Sequence, residues 1–195
     1  MEARSWRIPL SRIIAGVGGG NPLASVPGTA TRPTTDRVKE ALFSRLESLA
    51  VIDDARVLDL YAGSGSLGIE SASRGGARTV DLVEFDAKAS DVCQRNADLV
   101  NQLLGGKRVS VHRSKVESFL ERAGNADMWD LVFLDPPYPL DEPALSAVLA
   151  KLGVAFGRSG RCGGGAEFAE PGAFVARRLG KFRRQEVWRD QAVVR

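Results

Sequence analysis

Short apolar runs separated by polar stretches of helical length recur along the middle of this chain. The runs at residues 56–60, 80–84, 108–112 and 131–134 are rich in Val and Leu and end at turn residues, which predicts buried strands. Residues 69–74 and 87–100 between them predict helices. Upstream, Val38, Leu42, Leu46 and Leu49 repeat on one helical face. Pro33, then Thr34 or Thr35 as cap and Asp36 in the first turn, predict where that helix starts. Its charges, Lys39 and Glu40 included, read as a solvated face. Gly18-Gly19-Gly20-Asn21-Pro22 reads as a turn, hence an N-terminal hairpin or arm.

The apolar run at 56–60 leads straight into Gly63, Gly65 and Gly68, a G-x-G-x-x-G with a helix behind it. Strand, glycine turn and helix open a nucleotide-binding βαβ unit. Glycines let the backbone approach a ligand closely and adopt positive φ. Two acids add to the pattern. Asp59 lies within the strand, where an unpaired carboxylate is costly. Glu84 ends the next strand, at the spacing of an acid that grips a ribose.

The Asp59-Leu-Tyr-Ala-Gly-Ser-Gly-Ser-Leu-Gly68 run resembles motif I of the class I S-adenosylmethionine-dependent methyltransferases more than a dehydrogenase fingerprint. The resemblance implies S-adenosylmethionine as cofactor and a Rossmann-like, seven-stranded, doubly wound sheet. It also implies that Asp59, Tyr61, Gly63, Gly65 and Glu84 hold the cofactor, with Ser114 near the adenine. Lys115 departs from the polar or acidic residue common there.

Thr31-Arg-Pro-Thr-Thr-Asp-Arg-Val-Lys-Glu-Ala-Leu-Phe43, after Arg12-Ile-Ile-Ala-Gly16, resembles a signature of the bacterial 16S ribosomal RNA guanine-N2 methyltransferases. Arg32, Thr34, Asp36 and Arg37 are then expected to meet the RNA at a helix N-terminus, where N–H groups also favour anions. Gly19 and Asn21 stand where that family's arm is commonly basic, which weakens the arm as an RNA contact. The family often carries an Asn matching Asn96.

Asp135-Pro136-Pro137-Tyr138 follows the run at 131–134. Two prolines remove two backbone donors and fix φ, so the turn is rigid. The motif resembles the (Asp/Asn)-Pro-Pro-(Tyr/Phe) signature of enzymes that methylate exocyclic or amide nitrogens. An aryl amine is a poor nucleophile because its lone pair is delocalised into the ring. Hydrogen bonds from both N–H groups to the Asp135 carboxylate and the Pro136 carbonyl localise that pair. Tyr138 can stack on the base, worth about 1–3 kcal/mol. A helical base cannot reach such a pocket, so the target is flipped out or unpaired.

Bulk properties limit the alternatives. At 195 residues the chain reads as one domain. The net charge of +3 does not by itself signal nucleic acid: from Arg158 onward there are nine Lys/Arg and four Asp/Glu, leaving 18 and 20 before it. Cys93 and Cys162 have no metal spacing, and His112 reads as structural. No metal is expected. With no long apolar segment and no signal pattern, the chain is expected to be cytoplasmic. The resemblance implies 16S rRNA or the small ribosomal subunit as partner, and a monomer is expected.

The resemblance covers residues 12–156 and then stops. Residues 157–167 carry glycines and arginines where an apolar strand is due. With codons chosen to allow it, a one-base shift of frame there spells Ala-Ala-Gly-Val-Val-Val-Val-Glu-Arg, the missing strand. The organisation is thus an N-terminal extension and arm (1–31), the methyltransferase domain (32–157), and a divergent or frame-shifted segment of that domain (158–195). The function implied is methylation of a guanine N2 in 16S rRNA. The rivals are a DNA amino-methyltransferase and an inactive RNA-binding remnant.

Overall fold

Four strands lie parallel at the centre of the molecule: β1 (Arg56–Leu60), β2 (Thr79–Glu84), β3 (Val109–Arg113) and β4 (Leu131–Leu134). The computed structural model describes residues 11–27, 36–123, 129–136 and 142–157, with the backbone of 165–170, 173–177, 187–189 and 192–194. Successive side chains of a strand face opposite ways, and here each face builds its own core. Val57, Val80, Leu82, Val109, Leu131 and Phe133 pack under α1 (Asp36–Ser48), α2 (Ser66–Ser73) and α3 (Ala87–Leu103). Leu58, Leu60, Val83, Val132 and Leu134 pack under α4 (Val116–Arg122) and α5 (Glu142–Gly157). Helices on both faces explain why the strands are nearly continuous apolar runs. Among the described residues no helix is long and apolar enough to cross a membrane.

The order β3-β2-β1-β4 places the site. The chain steps outward from β1 to β3, then α4 carries it back past β1 to β4. The carboxyl ends of β1 and β4 thus flank a topological switch point, where open α/β sheets have their crevice.

Beyond β4 the sheet continues with β6 (Ala173–Arg177), antiparallel, and then β5 (Gly165–Glu170) at the edge. A separate antiparallel pair is formed by β7 (Val187–Arg189) and β8 (Ala192–Val194). Among the described residues the sheet has six strands, where seven were expected. Gly165–Glu167 enters β5 at the edge, so the glycine-bearing segment does not fill the position beside β4 where the apolar strand is due. An edge strand has one partner to satisfy, so it tolerates glycine better than the position beside β4.

Residues 11–23 double back on themselves. Ile13 N donates to Asn21 O at 3.0 Å and Leu23 N to Ser11 O at 2.7 Å, around an Arg12–Pro22 bridge. The loop is packed down: Ile13 and Leu23 are buried, and Val17 N donates to Ser73 O of α2 at 2.8 Å.

Helix α1 is rotated from its expected setting. Lys39, Leu42, Phe43 and Leu46 are buried, while Val38 and Leu49 are half-buried. Lys39 is therefore not a solvated charge but a fully buried one, 3.7 Å from the equally buried Glu70 of α2. Its Nζ also donates to Arg12 O. Burial pushes the Lys39 pKa below the usual lysine range, against the pull of Glu70 and Asp36. Glu40 does lie on the surface, 2.7 Å from Arg74.

Candidate functional site

The site grows from the turn after β1. Gly63 and Gly65 have φ of 57° and 79°, and Gly65 caps α2. At Gly68 a Cβ would sit 2.3 Å from Leu82 Cδ2 and 2.9 Å from Val80 Cγ1, so α2 can lie this close to β2 only without one. Asp59, 2% exposed, accepts from Gly68 N at 2.9 Å. It thereby ties the strand to the first turn of α2. One hydrogen bond does not offset its burial: desolvation, with Asp135 and Glu84 nearby, pushes its pKa up to about 7.

Glu84, half-buried at the end of β2, accepts from Gly63 N through one oxygen and from Asp86 N through the other, both at 2.8 Å. Each oxygen keeps a lone pair for a further donor. Asp135 directly follows β4. It is exposed by surface area, yet enough protein surrounds the carboxyl to push its pKa up to about 6 by desolvation. Pro136 beside it is half-buried. In the strand register Asp59 pairs with both Leu82 and Phe133. Asp59, Glu84 and Asp135 therefore come from three adjacent strands at one end of the sheet. Among the described residues no group of side chains could hold a metal ion.

Tyr61 stands between β1 and the glycines with φ of 58°, a left-handed setting that costs a non-glycine residue. Among the described residues its hydroxyl is buried without a hydrogen-bond partner, and desolvation, with Glu117 nearby, pushes its pKa up to about 12. Ser114 Oγ accepts from Arg122 Nη2 at 2.7 Å and donates to Lys115 O at 3.1 Å. Asp36 accepts from Arg12 Nε at 2.8 Å, and Arg37 is exposed. Arg32, Thr34, Pro137 and Tyr138 lie outside the described residues, as do Thr35 and Cys162.

Sequence reasoning passed over Phe85. It is 61% exposed directly after Glu84, with Lys115 Nζ 5.4 Å from its ring centroid. A large aromatic next to a strand-end acid was the signal available. His112 is as structural as expected: its Nε2 lies 2.7 Å from Asp81 Oδ1, while Trp129 Nε1 donates to Asp81 Oδ2 at 2.9 Å. An open recess of about 590 Å³ between α3 and β3 is lined by none of the residues of this crevice.

Residues 11–154 match the family described as "Conserved hypothetical protein 95". The chain belongs to that family. Within its reach, the chain is 40% identical over 142 residues to Bacillus subtilis "Putative rRNA methyltransferase YlbH", covering 72% of this chain and 73% of that protein. It is 37% identical over 137 residues to Haemophilus influenzae "Ribosomal RNA small subunit methyltransferase D", covering 69% and 68%. The solved structure of "Putative methyltransferase yhhF from Escherichia coli" superposes with a TM-score of 0.66 at 30% identity, covering 88% of this chain and 99% of that one. The chain shares with that structure the α/β fold and its parallel sheet, and the match to the Conserved hypothetical protein 95 family includes the whole crevice just described.

Proposed function

We propose that this chain transfers a methyl group from S-adenosylmethionine to the exocyclic N2 amine of a guanine in 16S ribosomal RNA. The observation that carries the reading is the juxtaposition, at one switch point, of the Asp59–Gly68 turn and the Asp135-Pro136 strand end. The names of the family's relatives support the reaction and the RNA class.

The residues fit this cofactor. Two carboxylic acids with raised pKa and a third beside them make the crevice attractive to a cation. Bound there, S-adenosylmethionine supplies an electrophilic methyl on a positively charged sulfur. Asp59 and the backbone of Gly63 and Gly65 take its amino-acid end, with Tyr61 lining the turn. Glu84 would accept from the ribose hydroxyls, and Phe85 and Ser114 would hold the adenine.

Asp135 and the Pro136 carbonyl accept the two N–H groups of the guanine amine and so return its lone pair to nitrogen. Pro137 stiffens the turn, and Tyr138 stacks on the base. Arg32, Thr34, Asp36 and Arg37 meet the RNA. On this reading the protein works as a cytoplasmic monomer on 16S rRNA or the small subunit, without a metal. Residues 158–195 are a divergent or frame-shifted part of a domain designed for seven strands.

The test is transfer of labelled methyl onto 16S rRNA and onto small subunits, followed by nucleoside analysis. The expected product is N2-methylguanosine, and Asp135→Ala should lose transfer at least a hundredfold while binding the cofactor as before. Label appearing on DNA adenine or cytosine instead, or undiminished transfer by Asp135→Ala, would overturn the reading.

A further inference from the structure

Asn96 lies in the middle of α3, 3% exposed, and its amide makes three hydrogen bonds to backbone. Its Oδ1 accepts from Ala24 N at 2.8 Å, and its Nδ2 donates to Ala24 O at 3.0 Å. This copies the two-bond pairing between strands. The same Nδ2 donates to Ser64 O at 2.9 Å, the carbonyl between Gly63 and Gly65. One amide thus joins the glycine turn to the segment that follows the N-terminal loop. From there the contacts run on. Leu23 N bonds Ser11 O, Arg12 Nε reaches Asp36 at 2.8 Å, and Arg12 O accepts from Lys39. They end at the start of α1, beside the exposed Arg37.

We propose that Asn96 is a positioning residue that couples the cofactor turn, through the N-terminal loop, to the RNA contacts at the start of α1, so that cofactor and RNA strengthen each other's binding. The inference rests on the function proposed above. A ligand seated on Gly63 and Gly65 holds the Ser64 carbonyl still, and through Asn96 it holds Ala24. Residues 11–24 in turn hold the start of α1 through Arg12, so the setting of Asp36 and Arg37 that RNA requires is already met when the RNA arrives, which is positive cooperativity through shared ordering. Linkage makes the effect reciprocal. An Asn that merely filled a polar gap in the core would give no such coupling.

The probes are S-adenosylhomocysteine and a 16S rRNA transcript. In the unchanged protein, saturating S-adenosylhomocysteine should tighten RNA binding about fivefold or more, and RNA should tighten S-adenosylhomocysteine by the same factor. Asn96→Ala should bring that factor close to one while each ligand still binds alone. Backbone hydrogen exchange at residues 23–26 of the unchanged protein should slow when S-adenosylhomocysteine is added. That measurement decides the matter if the variant does not fold. A coupling factor unaltered by Asn96→Ala, a factor of one in the unchanged protein, or exchange indifferent to S-adenosylhomocysteine each overturns the proposal, with methyl transfer left standing. Failure of the unchanged protein to bind S-adenosylhomocysteine at all overturns the functional reading and this inference with it.

Discussion

Asp59 and Asp135 are acids held in conditions that favour their neutral forms, with pKa values pushed up to about 7 and about 6. A bound cation reverses that preference, since opposite charge favours the ionised form. Cofactor binding should therefore release protons below pH about 7. The affinity for S-adenosylmethionine should fall as the pH drops from 8 to 5, by up to tenfold per unit through Asp59, the acid assigned to the cofactor. The neutral thioether S-adenosylhomocysteine should lose less over the same range. Calorimetric titration of both ligands at several pH values checks this, and parallel pH profiles for the two would remove the sulfonium from the explanation. Asp59 also acts on the protein alone. Its folded pKa lies above the unfolded value of 3.8, so the folded state binds more protons between pH about 4 and about 7, and its contribution to stability declines as pH rises through that window. Glu84 plays a simpler part. Glu84→Ala removes the acceptor of Gly63 N and, on the proposed reading, of a ribose hydroxyl, so cofactor affinity should weaken by about 1–3 kcal/mol. An unchanged dissociation constant would take Glu84 out of the site.

Among the elements, α1, α2 and the N-terminal loop meet at Glu70. Its carboxylate accepts from Ile14 N at 2.8 Å, Ala15 N at 2.9 Å and Arg74 Nε at 3.0 Å, with Lys39 Nζ at 3.7 Å. All of this lies at 0% exposure for Lys39 and Glu70. Glu70→Ala strands a buried ammonium and two backbone donors, so the loss should be about 3–5 kcal/mol. Lys39→Met should cost less, because Glu70 keeps three of its donors. Urea midpoints of the two variants test the order, and a Glu70→Ala loss no larger than that of Lys39→Met would refute it. This junction was hidden in the sequence for a physical reason. A lysine in a helix reads as solvated unless its partner is known, and Glu70 becomes its neighbour only once α1 and α2 pack on the same sheet face. The strands and their acids were legible because a parallel strand buried on both faces leaves an unmistakable apolar run. Burial then sets Asp59 apart as the polar side chain within one. Asn96 was noticed only through resemblance, since nothing local in α3 reveals that residue 24 passes over it.

At the scale of the whole molecule, the two cores explain why residues 56–134 could be read so closely and the remainder could not. A doubly wound sheet needs near-continuous apolar strands wherever helices cover both faces, and β1 to β4 meet that requirement. Beside β4 the chain offers Ala173–Arg177 in antiparallel pairing, with the glycine-bearing β5 outside it. A parallel strand spelled Val-Val-Val-Val in that position would restore the continuous apolar run that a strand covered on both faces requires. It would pair with β4, which leads directly into Asp135 and Pro136, in the parallel rather than the present antiparallel sense. The present chain should therefore be less stable than a version carrying the shifted-frame sequence from residue 158, by several kcal/mol of the roughly 5–15 kcal/mol typical of a domain. Its residues 158–195 should also be cut first by trypsin. Both proteins can be expressed and compared by urea midpoint, limited proteolysis and methyl transfer. Higher transfer by the shifted-frame version would tie the position beside β4 to the geometry of Asp135. Equal midpoints, with residues 158–195 protected from trypsin in the present chain, would establish that the antiparallel β6–β5 edge is a folded part of the domain in its own right and that no strand is missing.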